Sequence, residues 1–286
     1  DIVAPYIINY CSEKQKKYYL PKMISGEIIT AIAMTEPGTG SDLQNIKTKA
    51  TISTDTVTLN GSKTFITNGQ NANLDLVVAK TDTSQKAKGI SIILCEENTK
   101  GFKRGKNLEK IGMKAQDTSE LFFEEVVLPK ENILGNTGQG FSQLMEELPQ
   151  ERLSIAVTAI SAAEAALNWT IAYVKERTAF EKKIIEFQNT KFTLAKIKAD
   201  ITVGRAFIDR CIKEHINNNF SAEDGAIAKL WCTDLQFKVM DECLQLHGGY
   251  GYMKEYPIAR AFLDSRVQRI YGGTNEIMKE IISRNL

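Results

Sequence analysis

Five short runs hold the residue types best suited to chemistry. In Glu147-Leu148-Pro149-Gln150-Glu151-Arg152-Leu153 a carboxylate, the commonest kind of general base after histidine, stands directly before a guanidinium. A Glu-Arg pair on a helix is ordinarily a solvated face, but Leu148 and Leu153 flank this one and turn part of it toward apolar surroundings. In Thr35-Glu36-Pro37-Gly38-Thr39-Gly40-Ser41-Asp42, two glycines let the backbone approach a ligand. The hydroxyls and free N–H groups there could bind polar edges or phosphate, and a surface loop has the same composition. Phe65-Ile66-Thr67 reads as an amphipathic strand of the core. Arg177 sits at a helix end, where arginine is usually solvated, though its fork of donors suits phosphate oxygens. Gln245-Leu246-His247-Gly248-Gly249 reads as a helix running into a glycine stop, with His247 structural.

The elements that must position these residues change in texture along the chain. Its 286 residues are enough for two ordinary domains. Residues 1–30 read as helical, with a capping box at Ser12-Glu13-Lys14-Gln15 and Pro21 in a break or in the first turn of a next segment. The opening Asp1-Ile2-Val3-Ala4-Pro5 reads as the middle of a longer protein. Residues 31–135 carry short β-rich runs: Val57 to Leu59, Lys63 to Thr67, Leu74 to Ala79, Ile90 to Cys95 and Leu121 to Leu128. Asn60-Gly61 predicts a hairpin between the first two, because both positions tolerate positive φ. An antiparallel β-sandwich or barrel is expected, not a Rossmann unit. Residues 136–286 take a helical period, with Leu153, Ala156, Val157, Ile160, Ala163 and Leu167 on one face. Further helices are expected over about 186–217, 222–246 and 274–284, which suits a four-helix bundle. The fold class is thus α+β, with a truncated N-terminal helical segment.

Composition narrows the function classes. Thirty-six basic against 35 acidic residues leave a net charge of +1, which argues against a nucleic-acid surface. Five cysteines without CxxC spacing read as free, mostly buried thiols of a reducing compartment. Two histidines and no Cys/His cluster make a metal site improbable. No segment reads as a transmembrane span.

Several of these runs resemble the signatures of acyl-CoA dehydrogenases, and the resemblance covers nearly the whole chain. Thr35 to Asp42 is similar to the family's TEPGAGSD. Arg177-Thr178-Ala179-Phe180-Glu181 resembles its RxxFG, and Gln245 to Gly249 its QxxGG. Gln268-Arg269-Ile270-Tyr271-Gly272-Gly273-Thr274-Asn275-Glu276 resembles its flavin-facing turn. The β domain between helical regions is also the family's order. The resemblance implies FAD as cofactor, with Met34, Thr35, Ser41, Phe65, Ile66 and Thr67 about the isoalloxazine. It puts Arg177 on the pyrophosphate of a neighbouring subunit, near Phe180 and Gln188. Gln245, Gly248 and Gly249 fall on the adenosine side, and Thr274 and Glu276 join the cofactor set. Ser41, Arg152, Tyr271, Gly272 and Gly273 would face the acyl-CoA substrate.

Two positions depart from the common pattern. Glu181 replaces a glycine, which puts a carboxylate near the pyrophosphate and threatens the turn. Gly272 stands where many members carry the catalytic glutamate. In a subset of the family, the long-chain and isovaleryl types, the base instead precedes the arginine of the earlier helix, where this chain has Glu151. The resemblance therefore implies Glu151 as base and the Gly272 N–H as oxyanion donor, with Gly272 leaving room for a long or branched acyl chain. It also implies an electron-transfer flavoprotein as acceptor in fatty-acid β-oxidation, and a homotetramer or homodimer. The compartment would be the bacterial cytoplasm or the mitochondrial matrix. An oxygen-using oxidase and a non-catalytic acyl-CoA-binding paralogue are the alternatives.

Overall fold

A computed structural model describes residues 2–284 and 286; Asp1 and Asn285, at the ends of the outer expected segments, lie outside the described residues. The chain forms two compact units, residues 1–110 with 114–147, and residues 111–113 with 148–286.

The first unit opens with α1 (Val3–Tyr10) and α2 (Glu13–Ser25). The capping box forms: the Gln15 N–H donates to Ser12 Oγ, and Ser12 N–H donates to the Gln15 side chain. Pro21 neither starts nor breaks a helix. It lies inside α2, between that cap and the left-handed Gly26, where it cannot donate the main-chain bond of its turn.

A seven-stranded sheet follows: β1 (Thr30–Ala33), β2 (Lys49–Ile52), β3 (Thr56–Thr67), β4 (Leu74–Lys80), β5 (Ile90–Glu96), β6 (Phe102–Asn107) and β7 (Thr118–Pro129). The path is β1-β4-β2-β3-β7-β6, with β5 on β4. Most pairs are antiparallel, but β1 runs parallel to β4. Strand β4 is buried throughout because both of its faces are covered. Leu74, Leu76 and Val78 pack with α1 and α2 residues such as Tyr6 and Ile7; Val77 and Ala79 pack with Leu59, Leu121 and Phe123 on the other side.

The expected hairpin at Asn60-Gly61 is a bulge inside one long strand. β3 pairs with β7 from Thr56 to Thr67, with register shifts between Leu59 and Gly61 and between Lys63 and Ile66. Gly61 has φ 151°, and a Cβ there would lie 2.5 Å from Thr48 Oγ1, so β2 closes over the glycine. Asn60 trades side-chain bonds with Glu125 across the bulge. The β2–β3 turn comes earlier, where the Ser53 N–H donates to the Thr56 carbonyl.

The second unit is helical. Helix α3 (Gly140–Glu176) begins in the first unit and is followed by the small hairpin β8 (Thr178–Ala179) and β9 (Lys182–Lys183). Then come α4 (Gln188–Ile216), α5 (Ala222–His247), α6 (Pro257–Ser265) and α7 (Asn275–Ser283). Ala156, Ala159, Ile160, Ala163, Ala166 and Leu167 of α3 pack with Ile197, Ile201, Cys232 and Val239. By length and composition α3 could cross a membrane, against the reading that no segment does. Its apolar stripe is explained by this core. All five cysteines are free and buried.

Candidate functional site

In the first unit, Met34, Thr35 and Phe65 are brought together by β3. Thr64 N–H donates to the Thr35 carbonyl at 2.9 Å, and Lys63 Nζ donates to the Met34 carbonyl at 2.9 Å. Glu36 and Thr39 close the glycine loop with two reciprocal main-chain bonds. Beneath it, the Glu36 carboxylate accepts from Lys63 Nζ at 2.9 Å and from the Lys47 and Thr48 N–H groups. Burial alone would push this carboxyl up. The Lys63 charge and the other donors outweigh burial and hold it below its ordinary value. Burial pulls Lys63 down to about 8, against the field of Glu36.

This lock leaves a polar, open rim. Ser41 is exposed, and a Cβ on Gly38 or Gly40 would meet nothing within 4 Å. Phe65 is held at φ 59° with its ring 66% exposed. A left-handed conformation costs a bulky residue about 1–2 kcal/mol, and here it turns an aromatic face outward from a core strand. Thr67 is exposed; Ile66 packs into the core, and its carbonyl accepts from the Gly69 N–H at 3.2 Å.

In the second unit, an open groove of about 710 Å³ collects Arg177, Gln245, Gly248 and Gly249 beside Tyr173, His247 and Tyr250. The Arg177 guanidinium lies 5.5 Å from the centre of the Tyr250 ring. His247 is structural, as expected: Nδ1 bonds the Cys243 carbonyl at 2.8 Å, and the ring stacks on Tyr173 at 4.3 Å. Burial lowers its pKa. Phe180 and Gln188 do not line this groove. Phe180 is 89% exposed at the tip of the β8–β9 hairpin. The glycine turn feared lost at Glu181 is kept: Phe180 and Glu181 both take positive φ, 53° and 62°, as a two-residue hairpin of type I′ demands. The Glu181 side chain pays strain there that glycine would not.

The glycine turn at 271–274 is held from two helices. Arg152 Nε of α3 donates to the Gly272 carbonyl at 3.1 Å. Lys229 Nζ of α5 donates to the Gly273 carbonyl and to Asn275 Oδ1, both at 2.8 Å. Asn275 Nδ2 is held by Thr233 Oγ1 and Asp234, and Asp234 pairs with Arg269 at 2.6 Å. Thr274 caps α7 by accepting from the Ile277 N–H, with Glu276 exposed in the first turn. Tyr271 Oη donates to Gln268 at 2.6 Å. Gly272 and Gly273 sit at φ 65° and 89°, conformations that require glycine or a strained residue.

Glu151 and Arg152 are buried, at 6% and 5% exposure, so the solvated-face reading fails. One turn on, Ile155 Cδ1 lies 2.6 Å from where a Gly272 Cβ would stand. Glu151 and Ile155 are four residues apart and so share a face of α3. The expected empty space at the Gly272 side-chain position is therefore occupied by Ile155. Gly225 backs this stretch: its Cβ position is 3.1 Å from Pro149 Cα, so α5 abuts α3 at the proline. Lys229 follows Gly225 by four residues, on the same face of α5. Burial pulls Lys229 down to about 8, helped by the Arg152 charge. Sequence reasoning missed Lys63 and Lys229, because a lysine in a sequence carries no mark of burial.

Residues 138–286 match the acyl-CoA dehydrogenase C-terminal domain, and residues 31–126 the middle domain. The chain is 52% identical over 288 residues to the mitochondrial long-chain specific acyl-CoA dehydrogenase of Sus scrofa, covering 100% of this chain and 67% of that protein. A crystal structure of an acyl-CoA dehydrogenase from Geobacillus kaustophilus superposes with a TM-score of 0.98 at 51% identity, over 100% of this chain and 76% of that one. Butyryl-CoA dehydrogenase from Megasphaera elsdenii gives 0.96 at 38% identity, over 99% and 74%.

Proposed function

Since this chain belongs to the acyl-CoA dehydrogenase family and is an oxidoreductase of that kind, we propose that it desaturates long-chain or branched acyl-CoA thioesters to trans-2-enoyl-CoA, with Glu151 as the base. One observation carries the assignment. Glu151 is a buried carboxylate one turn from Ile155 and next to Arg152, the two α3 residues that reach Gly272, and position 272, where the turn would otherwise carry a carboxylate, is glycine. The acyl-length preference is supported by the long-chain name of the 52% identical relative.

FAD, when bound, supplies the acceptor for the β-hydrogen and its electron pair. The exposed Phe65 ring and the open Gly38 and Gly40 positions suit a planar ring system with polar edges, with Met34, Thr35, Ser41, Ile66 main chain and Thr67 about it. In the second unit the groove around Arg177, Gln245, Gly248 and Gly249 suits a pyrophosphate and adenosine. Phe180, Gln188, Thr274 and Glu276 complete the proposed cofactor set.

The α-proton of a thioester is too weakly acidic for a carboxylate unless charge on the carbonyl oxygen is stabilised. The Gly272 N–H would take that role, and such a donor is worth about 3–4 kcal/mol. Arg152 holds the carbonyl side of the same residue. Tyr271 and Gly273 shape the turn beside the substrate. Electrons would leave to an electron-transfer flavoprotein, the enzyme working as a homotetramer or homodimer in β-oxidation. Its compartment would be the mitochondrial matrix or the bacterial cytoplasm.

The test is Glu151→Gln in the full-length, flavin-loaded protein, reacted anaerobically with a ladder of straight and branched acyl-CoAs. Flavin bleaching should slow by about 10²–10⁴-fold at every chain length. Unchanged bleaching would remove Glu151 from the mechanism, and a wild-type profile peaking at butyryl-CoA would remove the long-chain preference.

A further inference from the structure

Lys229 is entirely buried, yet among the described residues no carboxylate bonds it directly. Its ammonium is spent on two neutral oxygens, the Gly273 carbonyl and Asn275 Oδ1, one on each side of the Thr274 cap. Burying a charge this way is costly, and a hydrocarbon side chain of similar length would fill the same space. The geometry shows what the charge does. Two consecutive glycines in left-handed conformations make a permissive stretch of backbone. The Gly272 N–H is aimed by ψ of Tyr271 and φ of Gly272, so a glycine at 272, followed by another, leaves its direction to be set by what holds the carbonyls of the turn. Arg152 fixes the first carbonyl from α3, and Lys229 fixes the second from α5.

We propose that Lys229 is a positioning residue for the dehydrogenation, clamping the 272–273 turn so that the Gly272 N–H stays directed at the thioester oxygen. Thr233 and Asp234 act behind it by orienting Asn275, the second acceptor of the ammonium. Facing Lys229 are Arg152 on α3, Asp234 on its own helix, Arg269 and Glu276, so the charge sits in a mixed field. The inference rests on the assignment of the Gly272 N–H as oxyanion donor.

The decisive measurement isolates proton abstraction. A 3-thia-acyl-CoA has no β-carbon to oxidise, so its α-proton exchange in deuterium oxide reports enolate formation alone. In the full-length flavin-loaded protein, Lys229→Met should slow this exchange by about a hundredfold, with flavin content and binding of the thioester unchanged. Thr233→Val, a milder change of the same shape, should slow it in the same direction by a smaller factor. Lys229→Arg, which restores a donor, should recover part of the rate if it is accommodated. Should Lys229→Met lose its flavin or fail to fold, Thr233→Val decides the matter alone. Wild-type exchange in a folded Lys229→Met, or in Thr233→Val when Lys229→Met does not fold, overturns the proposal. Glu151→Gln separates the two levels: if it abolishes exchange while Lys229→Met does not, only the role of Lys229 falls; if it has no effect, the assignment of the base falls.

Discussion

Two buried lysines hold two glycine-bearing loops, and they do so in different ways. In the first unit Lys63 bonds the Met34 carbonyl and the Glu36 carboxylate, both at 2.9 Å. In the second Lys229 bonds the Gly273 carbonyl and the Asn275 amide oxygen, both at 2.8 Å. Burial pulls each amine down to about 8. The first charge is cancelled by a direct partner and serves as a lock under the 34–41 loop. The second is shared among neutral oxygens, with Asp234 and Glu276 set against Arg152 and Arg269 around it. The contrast separates an ion pair that locks a loop from a lone ammonium that holds a turn by its hydrogen bonds.

The comparison can be broken first at the lock. Lys63→Met would leave the Glu36 carboxylate buried with only its two N–H donors, and should cost about 3–5 kcal/mol of stability in chemical denaturation. A loss below 1 kcal/mol would mean that the ion pair is not a lock.

A third buried charge sharpens the contrast. Asp75 on β4 is wholly buried, and both its carboxylate oxygens lack partners among the described residues. Burial pushes its pKa up to about 7, against the opposing field of Arg104 and with a small contribution from Glu97. The folded state then holds a proton that the unfolded chain releases near pH 4, so stability falls as pH rises from about 4 to about 7. The penalty above that window is about 4 kcal/mol. Asp75→Asn should match the wild type at pH 4 and exceed it in thermal unfolding at pH 8. Parallel curves for the two proteins across that range would refute the shift.

The smallest effect concerns the turn. Gly272→Ala should cost about 1–2 kcal/mol through its left-handed φ and the close approach of Ile155. Adding Ile155→Val should recover the contact part but not the backbone part. An additive double variant would show that the two side chains do not meet.

Local signals in the sequence survived folding where the partner was also local. Ser12 and Gln15 formed their cap, and α4 and α5 end within two residues of their expected limits. Asn60-Gly61 misled because its turn preference lost to a long pairing of β3 with β7. The parallel pairing of Thr30–Ala33 with β4 joins residues 44 apart, and no local periodicity reveals it. Glu151 and Gly272 stand out by motif; the contacts that clamp the turn do not, since Arg152, Lys229 and Asn275 make them only through tertiary packing.

The contact of Ile155 Cδ1 with Gly272 has a historical consequence. A glutamate placed at 272 would push the Ile155 terminal methyl aside, and Glu151 lost first would leave neither element with the proposed base. Moving the base between α3 and the turn thus engages a third position, because the end of the Ile155 side chain must swing aside for any side chain at 272. Positions 151, 155 and 272 are coupled in this way, and a carboxylate has to stand on one element before it leaves the other.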